Sequence, residues 1–386
     1  MKLRRKPRSA ARWVALSFLP LASACVHRPP TPLPAELRAA PPGRVQRRVV
    51  VDDRRDEVVV FAGPFHVAAA PAEADHAGGG DMPPHDHAGM ARTPMIDFRW
   101  PIEGWMRGFR LSLVDAEGNE YPRSLMHHLI GVNYDRRELV YPVAERLFGV
   151  GTETADVVLP KSLGVPLDEG AHLGFYVMWN NQTPEELNGL FIRLSMPYTL
   201  RGKRHPVEVL PFYADVNNRV GQATSFDLPP GRTVRSYVFT VPVSGGLVAA
   251  SGHLHDYGVA LRLEDVETGK QLFALKGNRD RDGHMKSVQR RIFGIRKGRV
   301  HLEAGRRYRV VGEYMNPTGR TLHSAAMAHI SGIFAPERRD AWPAIDADDP
   351  LYLRDLATLP KTLAQAQGDD LMEHGPAVDG RSGHRR

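Results

Sequence analysis

The chain has 386 residues with 51 basic and 44 acidic side chains, a formal charge of +7. Six of the basic residues, Lys2, Arg4, Arg5, Lys6, Arg8 and Arg12, crowd its start, so the remainder is close to neutral and gives no warrant for a nucleic-acid partner. The single cysteine, Cys25, excludes an internal disulfide.

Residues 1–25 read as an export signal. The basic stretch precedes an apolar run, Trp13–Leu21, that is too short to span a bilayer permanently. The run ends in Leu-Ala-Ser-Ala-Cys, which resembles a bacterial lipoprotein cleavage box in which Cys25 is lipidated. A larger aliphatic residue is usual where Ala22 stands, and ordinary cleavage after Ala24 is the alternative. Either route places the mature chain outside the cytoplasm, in the periplasm or on the cell envelope, with a membrane contact through the lipid if Cys25 is modified. Residues 26–44 are Pro-rich without apolar periodicity, the composition of an extended tether.

From residue 45 the pattern is that of strands. Short runs rich in Val, Tyr, Phe and Leu recur between turn residues such as DAEGNE at 115–120, ETGK at 267–270 and EAGR at 303–306. Strands are expected at 58–67, 95–100, 108–114, 174–179, 190–196, 234–243, 259–263 and 307–314. The fold class is all-β, with paired antiparallel sandwiches: an N-terminal one over 45–222 and a C-terminal one over 223–336. Residues 337–386 read as a polar tail with a short helix at 351–366, where Leu353, Leu356, Leu359 and Leu363 recur at spacings of three and four.

Inserted at 71–95 is a Gly, Pro and Ala-rich stretch holding His76, His85, His87, Met82, Met90 and Met95. It lacks the means to pack a core and is expected as a loop. It is either a solvated insertion or a metal-collecting segment, since His with Met captures copper and His with Asp captures zinc.

The chemistry-bearing pattern is SGHLHDYGVAL at 251–261. Residues two apart in a strand share a face, so His253 and His255 can reach one metal ion. Upstream, His127 and His128 stand side by side in SLMHHLIGVN. Neighbours in a regular strand point to opposite faces, so these two share a metal only at a strand end, a bend or a bulge. Otherwise one is buried and the other exposed. Downstream, HSAAMAHISGIF at 323–334 offers Met327 and His329. Imidazole and thioether from separate segments point to copper, because thioether suits Cu(I). Simple core packing is the competing account of Met327.

The order MHHL, then GFYVMWNNQT, GHLHDYG and a Met-bearing strand is similar to that of the copper type II, ascorbate-dependent monooxygenases, such as peptidylglycine α-hydroxylating monooxygenase and dopamine β-monooxygenase. The resemblance covers about residues 95–336. It implies two tandem jelly-roll β-sandwiches, each with one copper, facing one another across a wide solvent-filled cleft. It implies a reactive copper on His253, His255 and Met327, with His329 as the nearest substitute. It implies an electron-transfer copper on His127 and His128. Where the family carries a third histidine this chain has Met178, followed by Trp179, with His172 as a weaker substitute. The family's internal disulfides are absent.

What the resemblance implies functionally is hydroxylation of a C–H bond of a small substrate with dioxygen, the copper being reduced by ascorbate or another external donor. Two other classes stay open: a copper-binding or copper-handling lipoprotein without turnover, and a metal-free β-sandwich interaction lipoprotein. A zinc site from the same histidines is disfavoured by the repeated methionine.

Overall fold

The run VVVFAGPF at 58–65 is apolar on both strand faces, which requires cover on each side. It forms most of β2 (Glu57–Val67), next to β1 (Gln46–Asp52). Val58, Val60, Ala62 and Phe65 enter the main core of the first sandwich. On the other face, Val59 and Phe61 are covered by Leu33 and by Leu37 of the short helix α1 (Ala35–Arg38). The Pro-rich stretch read as an extended tether is therefore packed at this point. Burying each such side chain contributes about 1.5–3 kcal/mol, which offsets the ordering of a few residues.

The computed structural model describes residues 29–367, apart from 42, 71–91, 152–155, 203–204, 218–224 and 296–299. The first sandwich continues with β3 (Ile96–Arg99), β4 (Gly104–Met106), β5 (Gly108–Val114), β6 (Met126–Arg137), β7 (Ala144–Gly151), β8 (Leu163–Leu167), β9 (His172–Trp179) and β10 (Leu187–Leu200). One sheet runs β1-β2-β10-β4-β8, with β5 also paired to β10; the facing sheet runs β3-β9-β6-β7. Their inner faces share one core, with Ile96, Leu129, Phe175, Ile192 and Leu194 fully buried.

The second sandwich comprises β11 (Leu210–Asp215), β12 (Gly231–Thr240), β13 (Gly245–Leu254), β14 (Gly258–Asp265), β15 (Gln271–Arg279), β16 (Arg307–Asn316) and β17 (Ala328–Pro336). One sheet runs β11-β17-β13 and the other β12-β16-β14-β15. The architecture is thus two tandem antiparallel, jelly-roll-like sandwiches. The change from one to the other falls earlier in the chain than residue 222. Val209 and Leu210 still pack in the first core, whereas Phe212 and Ala214 belong to the second and β11 pairs with β17.

The two sandwiches pack directly on each other. Leu139, in the β6–β7 connection, is buried in the second core, and Val248 of β13 is buried in the first. In the same connection, the Tyr141 hydroxyl accepts from Asp215 N at 2.8 Å. Trp342 lies against both cores and donates its indole N–H to the Arg137 carbonyl.

Beyond Pro336 the chain returns to the first sandwich rather than dissolving. α2 (Pro350–Thr358) starts at the N-cap Asp349, whose carboxylate accepts from Leu351 N and Tyr352 N, with Pro350 in the first turn. It stops short of Pro360, so the helix expected at 351–366 is broken. Tyr352 and Asp355 are its buried residues, Leu356 packs against the same cluster as Tyr352, and Leu353 points to solvent. The Asp355 carboxylate, 1% exposed, takes both Arg146 guanidinium nitrogens at 2.5 and 2.7 Å. Met95, expected in the inserted loop, is fully buried beside Tyr352 and exchanges backbone hydrogen bonds with Lys361 and Leu363.

Candidate metal centre

β13 carries His253, with His255 one residue past its end, and both are 9% exposed. β13 runs antiparallel to β17, pairing His253 with His329 and Leu254 with Ala328. Continuing that ladder sets Met327 across from His255. Residues opposite one another share a face, so His253, His255, Met327 and His329 form one patch. Gly252 permits the close approach, because a Cβ there would lie 2.4 Å from the His329 carbonyl oxygen and 2.3 Å from Leu261 Cδ1.

The end of this ladder is closed by a side chain instead of by backbone pairing. The Tyr314 hydroxyl, on β16 of the facing sheet, accepts from His255 N at 3.1 Å and Met327 N at 3.2 Å and donates to the Met327 carbonyl. Burial pushes the pKa of this phenol above its ordinary value. His255 Nδ1 lies 3.2 Å from the Ala325 carbonyl oxygen. A carbonyl only accepts, so Nδ1 carries the hydrogen and Nε2 carries the lone pair of this histidine. Two non-glycine residues with left-handed backbone flank the corner, Tyr257 (φ 66°) and Ser324 (φ 49°). An aromatic side chain at such a φ is held against its preference by its surroundings, here by Tyr257 N donating to Gly283 O and Met315 N donating to Tyr257 O.

On the first sandwich, β6 and β9 pair Met178 with His128 and Trp179 with Met126, which leaves His127 as an extra residue. This is a β-bulge at the position where the adjacent pair needs one. The His127 and His128 rings, both half-buried, come to 4.1 Å between centres. Met178, directly across from His128, is buried at 6%. His172 sits at the opposite end of β9, stacked on Tyr134 at 4.5 Å, and takes no part.

The two sets meet. The His128 ring centre is 5.1 Å from that of His253, which is 4.9 Å from His255 and 5.4 Å from His329. The wide cleft implied by the resemblance is absent here, because the apolar plug at Leu139 and the Tyr141–Asp215 bonds hold the sandwiches together. Directly across from His329, Asp215 accepts from the Tyr213 hydroxyl at 2.9 Å and from Asn217 N at 2.7 Å, and burial raises its carboxyl to about 6. Tyr213 packs on His329 at 4.7 Å.

Imidazoles that share one ion at about 2.0 Å per nitrogen have ring centres about 4.5–5 Å apart; His253–His255 and His128–His253 are close to that, while His127–His128 is shorter and His253–His329 longer. Among the described residues, however, no three His, Cys, Asp or Glu side chains converge as they stand on a point that would hold a metal ion. The donors fit a soft to borderline ion such as copper in kind and in ring spacing. Holding it requires the rings to turn toward a common point. His76, His85, His87, Met82, Met90 and the candidate lipidation residue Cys25 lie outside the described residues. Tyr314, Gly252, Tyr213 and Asp215 carried no mark in the sequence that tied them to the histidines.

No family model matches the chain, and no curated protein matches it significantly. Among solved structures it is similar to a chain of the Sulfolobus turreted icosahedral virus, at 9% identity and TM-score 0.32, covering 86% of this chain and 98% of that one. It is also similar to PNGF-II, at 12% identity and TM-score 0.27, covering 63% and 59%. Likenesses this distant carry nothing about function.

Proposed function

We propose that the chain is a copper-binding protein of the cell envelope, lipid-anchored through Cys25, that hydroxylates a C–H bond of a small substrate with dioxygen. The observation that carries the reading is the corner at His253 and His255, whose rings come to 4.9 Å between centres and whose backbone is tied to that of Met327 through the Tyr314 hydroxyl. His253, His255 and Met327 would hold the reactive copper, and His127, His128 and Met178 stand beside them as the second donor set. Bound copper supplies one-electron chemistry and dioxygen activation, with ascorbate or another external donor providing the reducing equivalents. The overall conversion takes substrate, dioxygen, two electrons and two protons to the alcohol and water.

The chain's own residues do the positioning. The Ala325 carbonyl fixes the His255 tautomer and leaves Nε2 as its donor atom. The Tyr314 hydroxyl sets the backbone of both His255 and Met327. Burial of His253 and His255 limits water at the centre. A second reading, copper handling without turnover, is favoured by that same burial and by Met178 across from His128, since a second thioether makes the donors softer.

The test is copper content and ascorbate-dependent oxygen consumption in the purified chain and in His253→Ala/His255→Ala. Copper bound and oxygen consumed above the rate of free copper, both lost in the variant, support the oxygenase reading. Copper without turnover leaves the handling reading. A chain that takes up no copper sinks both and leaves a sandwich protein that works through contacts alone.

A further inference from the structure

Two donor sets on separate sandwiches suggest two metal sites, but their spacing here does not. His128 of β6 is nearer to His253 of β13 than His253 is to His329 of its own sheet, 5.1 against 5.4 Å between ring centres. His128 and His253 meet at 73°, edge to face, so the contact is not a parallel stack of two core rings.

We propose that the two sets form one centre, in which a single copper ion is shared by His128 from the first sandwich and His253 from the second and staples the sandwiches together. This rests on the copper reading above. His255, Met327 and His127 then compete for the remaining positions of the same ion.

Charge argues for one ion rather than two. Imidazole and thioether are neutral ligands, and the carboxylate in this cross-strand row, Asp215, pairs with His329 across the ladder and lies within electrostatic reach of His253. One carboxylate offsets one cation but not two cations a few ångströms apart. The surroundings are set for a staple. Tyr141 reaches from the β6–β7 connection to Asp215 of β11, and Leu139 is buried in the second core, so the sandwiches are already apposed where the ion would bind. Because β6 and β13 belong to different cores, an ion between them adds a cross-link that neither fold provides alone.

The experiment is a Cu(I) titration of the full chain against a competing chelator, with hydrogen exchange followed on β6 and β13. It is run on the wild type, on His128→Leu, on His253→Leu, and on each in a His76→Ala/His85→Ala/His87→Ala background so that those histidines do not add to the count. The leucine variants keep much of the side-chain bulk but offer no donor atom, and circular dichroism confirms that they fold. The expected result is one copper per chain, slowed exchange on both strands when it binds, and an affinity loss above about 100-fold in either variant, more than outer-sphere partners cost. Two coppers, each weakened only by its own variant, or protection of one strand alone, would overturn the shared centre and leave the copper reading standing. No copper in the wild type would remove the copper reading itself.

Discussion

At the end of β13 the two histidines stand two residues apart, His253 in the ladder and His255 one residue past it, whereas on β6 they are neighbours and depend on a bulge. The first arrangement is local. Strand periodicity puts His253 and His255 on one face, and Gly252 and Tyr314 refine their position. The second is remote, because β6 gains its irregularity only through pairing with β9, and its partner β7 is held by Arg146 and the returning C-terminal segment. Two donor pairs that look equivalent along the chain therefore rest on supports of different range, and they should fail in different ways.

The largest effect is expected on the remote side. Asp355→Ala leaves the Arg146 guanidinium without its bidentate partner in a mostly buried setting, and should cost about 3–5 kcal/mol in urea unfolding. Hydrogen-exchange protection of β6 should weaken with it, while the His255–Tyr314 corner keeps its local bonds. Equal loss on both sides would break the contrast.

Next comes pH, again through the remote side. Glu138, fully buried in the β6–β7 connection, has its carboxyl raised to about 8 by burial, with Arg146 opposing and Asp355 adding to the shift. Between its ordinary value of 4.5 and about 8, the unfolded chain has released this proton while the folded chain keeps it. Stability should therefore fall as pH rises through that window, by about 2–4 kcal/mol, and this share of the fall should vanish in Glu138→Gln. Unfolding midpoints at pH 5, 6.5 and 8 decide it; identical slopes in both proteins would refute the buried acid.

On the local side the effects are smaller. In Gly252→Ala the new Cβ meets the His329 carbonyl and Leu261, which should force β13 and β17 apart and cost about 1–3 kcal/mol. His253 and His329 should lose their register, visible as shifted imidazole resonances. Smallest is Tyr314→Phe, which keeps the ring against Phe226 but removes the hydroxyl from His255 N and Met327 N. It should lose about 1–2 kcal/mol and about tenfold in copper affinity, with His127 and His128 undisturbed. An unchanged affinity would show that the corner does not need its clasp.

Much of the strand framework was legible because apolar residues recur with the pleat: the runs at 108–114, 234–243 and 307–314 are found as β5, β12 and β16 with small shifts at the ends. The Pro-rich start misled because proline content says nothing about whether Leu33 and Leu37 find a partner. The doubly apolar run of β2 was the signal that they would. The helix expected at 351–366 is broken at Pro360, which leucine spacing ignores; Leu356, Leu359 and Leu363 still pack inward, Leu353 does not, and Asp355 is buried by charge pairing. Met95 looked like a loop ligand among histidines and is a core residue, since composition does not locate the end of an insertion.

By itself the sequence determined that His253 and His255 share a face, because a period of two is a property of the extended backbone. It also set the condition for His127 and His128, that only a bend, an end or a bulge could bring them together. Tertiary structure alone decided that the bulge exists, that Met178 stands across from His128, and that His128 meets His253. These depend on pairing and packing between residues far apart in the chain, such as His128 with Met178 and with His253, for which the chain carries no local periodicity.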